Sequence, residues 1–118
     1  DMNILHISNT TYIATLYTKD GKKDTEEKTL DLFDKTANHS LYFTIDGKWF
    51  YAKFSGVDVR YDFDRHIDFV DGKDIEIIPD DDYEDLTEER KEKYKAIKID
   101  HIVFARKEAK GLHYNLAA

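Results

Sequence analysis

With 118 residues, 25 acidic against 18 basic side chains and no cysteine, the chain has the size of one folded domain and lacks the means for disulfides or thiolate metal centres. Its net charge of −7 works against binding nucleic acid or anionic lipid, and no apolar run reaches the roughly 20 residues of a membrane-spanning helix. Asp1 precedes Met2, which we take as the native start; no basic segment leads into an apolar one as in a secretory leader, so we expect a cytoplasmic protein.

In chain order, residues 3–8 (NILHIS) suit a short strand, and 12–18 (YIATLYT) a better one, rich in strand-forming side chains. A polar turn around Gly21 follows. Residues 25–33 (TEEKTLDLF) fit a second strand arm folding back across that turn, but would also tolerate a helix. The clearest local signal is LYFTIDGKWFYAKFSG, where two apolar runs flank Asp46-Gly47. Asp-Gly between strand runs favours a tight type I′ turn, so residues 41–45 and 49–54 are predicted to form a hairpin. Trp49, Tyr51 and Phe54 are assigned to the core.

Residues 57–70 (VDVRYDFDRHIDFV) alternate with period two, with Asp58, Arg60, Asp62, Asp64, His66 and Asp68 on one set of positions and apolar side chains on most of the other. Fourteen residues in one strand would run roughly 46 Å, too long for a domain of this size. Arg65 also breaks the pattern, so two pieces are expected, 57–63 and 66–70. Asp71-Gly72 is read as another tight turn returning into the strand DIEIIP, which Pro79 ends. Residues 80–85 (DDDYED) read as an exposed acidic loop. LTEERKEKYKAI reads as a helix, with Thr87 as N-cap, Glu88 and Glu89 in its first turn, and Glu89–Lys93 as an i,i+4 pair. Residues 97–106 form the last strong strand, and the tail from 107 onward docks or frays. The fold expected is α+β, a mostly antiparallel sheet of hairpins with one late α-helix.

Chemistry-bearing motifs are scarce. Asp62, Asp64, His66 and Asp68 stand on alternate positions, but such residues diverge by about 7 Å per step, too far to share one ion. Asp64 and His66 would need further ligands such as His101 or His6, so no metal or other cofactor is expected. The five histidines, His6, His39, His66, His101 and His113, lie in no recognisable catalytic context. There is no G-x-S-x-G elbow, no H-E-x-x-H pair and no phosphate-binding glycine loop, and no enzyme is expected. Trp49, Tyr51 and Phe54 with the basic C-terminal quarter would suit a nucleic-acid platform, but the overall charge cancels the attraction that drives such binding.

The charge itself is unevenly placed. Residues 58–92 hold 15 acids and 5 bases, while residues 93–118 hold 2 acids and 6 bases. An acidic block on a stiff scaffold repels nucleic acid and lipid and attracts a basic protein. Asp62, Asp64, Asp68, Asp80, Asp81, Asp82, Glu84 and Asp85 are the expected partner-binding residues, placed to imitate the phosphates of a nucleic acid before a nucleic-acid-handling enzyme. In size, composition and charge pattern the whole chain resembles the small acidic counter-defence proteins of phages and mobile elements, which inhibit restriction or RNA-guided nucleases. That likeness is one of bulk character, not of motif, and implies an inhibitor without assigning residues. The alternatives are a small-ligand or nucleotide-binding protein with Trp49, Tyr51, His66 and His101 near a pocket, and a structural or assembly subunit.

Overall fold

A computed structural model of the chain describes residues 9–80 and 86–107. They form eight strands and one helix: β1 (Thr10–Thr18), β2 (Lys23–Leu30), β3 (Asn38–Ile45), β4 (Lys48–Ser55), β5 (Arg60–Asp62), β6 (Ile67–Asp71), β7 (Glu76–Pro79), α1 (Glu88–Lys95) and β8 (Ile99–Arg106). The strands make two antiparallel sheets, one in the order β2-β1-β8-β6-β5 and one in the order β3-β4-β7. The class is α+β, as the hairpin-rich sequence leads one to expect. Residues 3–8 and the tail after Lys107, read from sequence as a strand and a docking or fraying end, lie outside the described residues.

Period-two alternation builds the core. Tyr12, Ala14 and Leu16 of β1, Leu41, Phe43 and Ile45 of β3, Phe50, Ala52 and Phe54 of β4, and Ile102 and Phe104 of β8 are all buried between the sheets. The Asp46-Gly47 turn forms as predicted, with φ of 53° and 73°, the left-handed geometry that a tight hairpin turn demands. The doubt over residues 25–33 resolves to a strand: β2 pairs with β1 through eight partners from Thr10↔Leu30 to Tyr17↔Lys23. α1 has its N-cap at Thr87, whose Oγ accepts from the Arg90 amide, and the Glu89–Lys93 pair forms at 3.8 Å. The helix is polar on most of its surface and is seated by Tyr94, which is buried beside Leu86 in the core cluster.

Two sequence expectations are corrected. Asp71-Gly72 is not a hairpin turn. It opens a 3₁₀ turn over Gly72–Asp74 that carries the chain from β6, in the five-stranded sheet, to β7, which pairs with β4 in the other. Glycine is needed here because a Cβ at position 72 would stand 1.9 Å from the Ile99 carbonyl oxygen. A close backbone crossing, and not a positive φ, explains the residue. Likewise 57–63 is not one strand: Gly56–Asp58 is a 3₁₀ turn, and only Arg60–Asp62 pairs as a strand.

The sheets meet along a seam that no backbone ladder closes. The outward amides of β3 point at β2, and β2 answers with side chains. Asp24 accepts from the Thr44 amide at 2.8 Å, Glu26 accepts from the Tyr42 amide, and the Lys28 ammonium donates to the Ser40 carbonyl. Residues 24, 26 and 28 project from one side of their strand because side chains alternate. They thereby cover an edge that would otherwise present bare hydrogen-bonding groups.

Candidate interaction surface

The expected acidic residues divide among different environments. Asp62 is taken up by the turn between β5 and β6. Its Oδ1 accepts from the Asp64 amide at 2.9 Å and the Arg65 amide at 3.1 Å, and its Oδ2 accepts from Arg65 Nε at 2.8 Å. Bonding to Arg65 holds this carboxyl below the usual carboxylate range. Asp64 stands exposed in the same turn. Asp68 departs from the alternation read in the sequence. It shares the inner face of β6 with buried Val70, opposite Phe104, while Ile67 and Phe69 take the outer face. The positive φ of His66, 55°, belongs to the turn that separates β5 from β6, so a single alternation cannot be carried through residues 57–70. Burial raises the Asp68 carboxyl above its ordinary range, against the lowering pull of Arg106 and Lys35.

Asp80 lies elsewhere. Its amide donates to the Trp49 carbonyl at 3.0 Å, at the start of β4, whereas β5 follows the far end of that strand. The run of β4 puts about 20 Å between these levels, and Asp68 turns to the inner face of the five-stranded sheet while Asp80 borders the outer face of the three-stranded one. Asp81, Asp82, Glu84 and Asp85 lie outside the described residues.

Asp80 has aromatic neighbours. Alternation in β4 sends Phe50, Ala52 and Phe54 inward, so Trp49, Tyr51 and Lys53 face outward. This corrects the assignment of Trp49 and Tyr51 to the core, which only Phe54 joins. Trp49 is 47% exposed and Tyr51 40%. Tyr42 of β3 lies between them, stacked on Trp49 with ring centroids 4.9 Å apart and 4.8 Å from Tyr51. The Tyr42 hydroxyl donates to Asp80 Oδ2 at 2.5 Å. Ile78 of β7, opposite Tyr51, extends this face, and Glu76 stands opposite Lys53 at its border. The platform is also braced from behind, since the Tyr94 hydroxyl of α1 donates to the Trp49 carbonyl at 3.1 Å. The outer face of the three-stranded sheet is therefore a fixed row of aromatic rings with a carboxylate bonded to the middle one. Counting odd and even positions in β4 separates Trp49 and Tyr51 from Phe54; the same count in β3 turns Tyr42 outward, but its place between the two rings depends on the register across strands.

The other sequence candidates are dispersed. Trp49 and Tyr51 are on this platform, His66 is in the β5–β6 turn, 2.8 Å from the Tyr61 hydroxyl, and His101 is on the outer face of the five-stranded sheet, stacked on Tyr17. They line no common pocket. Among the described residues no group of three or more histidine, aspartate or glutamate side chains could hold a metal ion, and no helix is long and apolar enough to cross a membrane. No protein-family model matches the chain, and neither a curated protein nor a solved structure matches it significantly.

Proposed function

We propose that the chain is a non-enzymatic interaction protein of the cytoplasm that takes a basic protein partner on the outer face of the three-stranded sheet. The observation that carries this reading is the Trp49–Tyr42–Tyr51 row with the Asp80 carboxylate hydrogen-bonded to its middle ring. Guanidinium groups stack on aromatic faces and pair with carboxylates in the same approach. Asp80 also opens the most acidic run of the sequence, Asp80-Asp81-Asp82-Tyr83-Glu84-Asp85, so charge attracts where rings anchor. A basic groove of a nucleic-acid-handling enzyme presents such a cation-rich surface, and a protein filling it acts as an inhibitor by occupying the place of nucleic acid, as counter-defence proteins do.

The experiment uses Trp49, the sole tryptophan, as its reporter. The full chain is titrated with an arginine-rich peptide, with a lysine-rich peptide of equal charge and with an uncharged peptide. The expected result is saturable change in tryptophan fluorescence, tightest for arginine and weakening steeply with salt. Joint replacement of Asp80, Asp81 and Asp82 by lysine weakens binding at least tenfold and flattens the salt dependence. Equal binding of the uncharged peptide, or an unaltered titration in the triple variant, refutes the reading.

A further inference from the structure

The two ends of the sandwich differ: α1 closes one, and a cleft opens at the other. Here the inner face of the five-stranded sheet carries an ordered set of groups. Tyr61 stands opposite Asp68, Asp68 opposite Phe104, and Arg106 opposite Tyr12. Arg106 follows Phe104 by two positions on β8, so it lies diagonally from Asp68 on the same face, at the roughly 7–8 Å typical of diagonal neighbours. Between them is a cleft of about 530 Å³ lined by Phe33, Tyr61, His66, Asp68, Phe104 and Arg106, within the size range of small-molecule sites.

The polar groups of this cleft have defined capacities. Arg106 stands opposite Tyr12 across the β1–β8 ladder, and its guanidinium has five N–H donors to offer. Asp68 is half-buried, and no donor among the described residues hydrogen-bonds it. Its oxygens are not among the enclosed, partnerless polar atoms, so donors on an occupant replace water there. Tyr61 and His66 hold each other through the 2.8 Å contact of hydroxyl and Nδ1. Phe104 forms an apolar floor at 2% exposure, while Phe33 and Tyr61 are partly open at the sides. An occupant must therefore be flat and apolar on its faces, with hydrogen-bond donors for Asp68 and an acceptor for Arg106 on its edge.

Guanine has this edge chemistry: a ring N–H and exocyclic amine suit a carboxylate, and its carbonyl and ring nitrogen suit a guanidinium. Adenine lacks the carbonyl, and hypoxanthine lacks the amine. The open rings of Phe33 and Tyr61 offer a flat base a stacking surface. We propose that the cleft between β5, β6 and β8 binds guanine as the base or nucleoside, with Asp68 accepting from the amine edge and Arg106 donating to the carbonyl edge. This site is separate from the Trp49 platform and does not depend on the function proposed for it.

The test is a titration of the full-length ¹⁵N-labelled protein with guanosine, inosine and adenosine. Guanosine is expected to produce saturable amide shifts at Ile67, Asp68, Ala105 and Arg106, with inosine at least fivefold weaker and adenosine weaker still. Asp68→Asn, with its folded state verified from the dispersion of the same spectra, lowers guanosine affinity at least fivefold. Trp49→Ala leaves the shifts unchanged, which separates this site from the platform. Absence of saturable shifts with guanosine, equal affinity for guanosine and inosine, or unaltered guanosine affinity in Asp68→Asn overturns the proposal.

Discussion

Asp24 and Glu26 lie in a nearly neutral stretch of sequence, yet they are bonded into the seam between the sheets. Asp80 lies in the acidic block, and its carboxylate stands at the edge of an exposed aromatic row. The difference between these regions lies in which donors reach the carboxylate. Along the seam, backbone amides of β3 take up Asp24 and Glu26, and their charge serves the architecture. At the platform a tyrosine hydroxyl holds Asp80 in place and leaves its remaining acceptor capacity for another molecule. Asp62, deep in the acidic block by sequence, belongs with the first kind because it closes a turn. Acidity in the sequence is thus a poor guide to acidity offered at a surface.

The seam is broken most severely by replacing both Asp24 and Glu26 with alanine. This leaves two amides of β3 without acceptors. Hydrogen bonds to charged groups contribute about 1.5–3 kcal/mol each; with water reaching this half-buried edge, the expected joint loss is about 2–4 kcal/mol, read from urea unfolding. Joint replacement by asparagine and glutamine keeps the acceptors and recovers most of that loss. At the platform, Tyr94→Phe removes the hydroxyl that braces the Trp49 carbonyl and costs about 1 kcal/mol, with tryptophan fluorescence anisotropy falling as Trp49 loosens.

His39 sharpens the comparison through pH. It lies at the end of the seam on β3, packed on Phe54, and its Nε2 is buried with no hydrogen-bond partner. Burial, aided by Lys28, holds its pKa below the ordinary value. The folded protein therefore binds fewer protons than the unfolded chain as pH falls below about 6.5. This histidine's contribution to stability is complete above that pH and is lost on acidification through the lowered folded value. His39→Phe is expected to flatten the fall of thermal midpoint as pH drops below about 6.5. The smallest effect belongs to Asp62→Ala: amide exchange at Asp64 and Arg65 accelerates, while the thermal midpoint hardly moves.

Much of this fold was legible. The Asp46-Gly47 hairpin, the Thr87 cap, the break near Arg65 and the late helix all follow from local rules that tertiary structure did not override. Asp71-Gly72 misled because the same dipeptide serves a tight turn or a crossing between sheets, and the carbonyl that makes glycine necessary belongs to Ile99, 27 positions away. The inward turn of Asp68 was hidden because the positive φ at His66 resets the phase of alternation after it. The platform was half legible: parity in β4 exposes Trp49 and Tyr51, but their junction through Tyr42 is a cross-strand fact. The seam was not legible, since Asp24, Glu26 and Lys28 look like any solvated strand face until β3 is placed beside them.

That seam bears on how such a fold can diverge. Its bonds ask for oxygen acceptors at positions 24 and 26, and amide side chains supply those too, if less strongly than carboxylates. A descendant chain could shed two negative charges there and keep its architecture intact. Kinship is then better sought in a hairpin facing a strand with polar side chains two residues apart than in isoelectric point, which drifts freely.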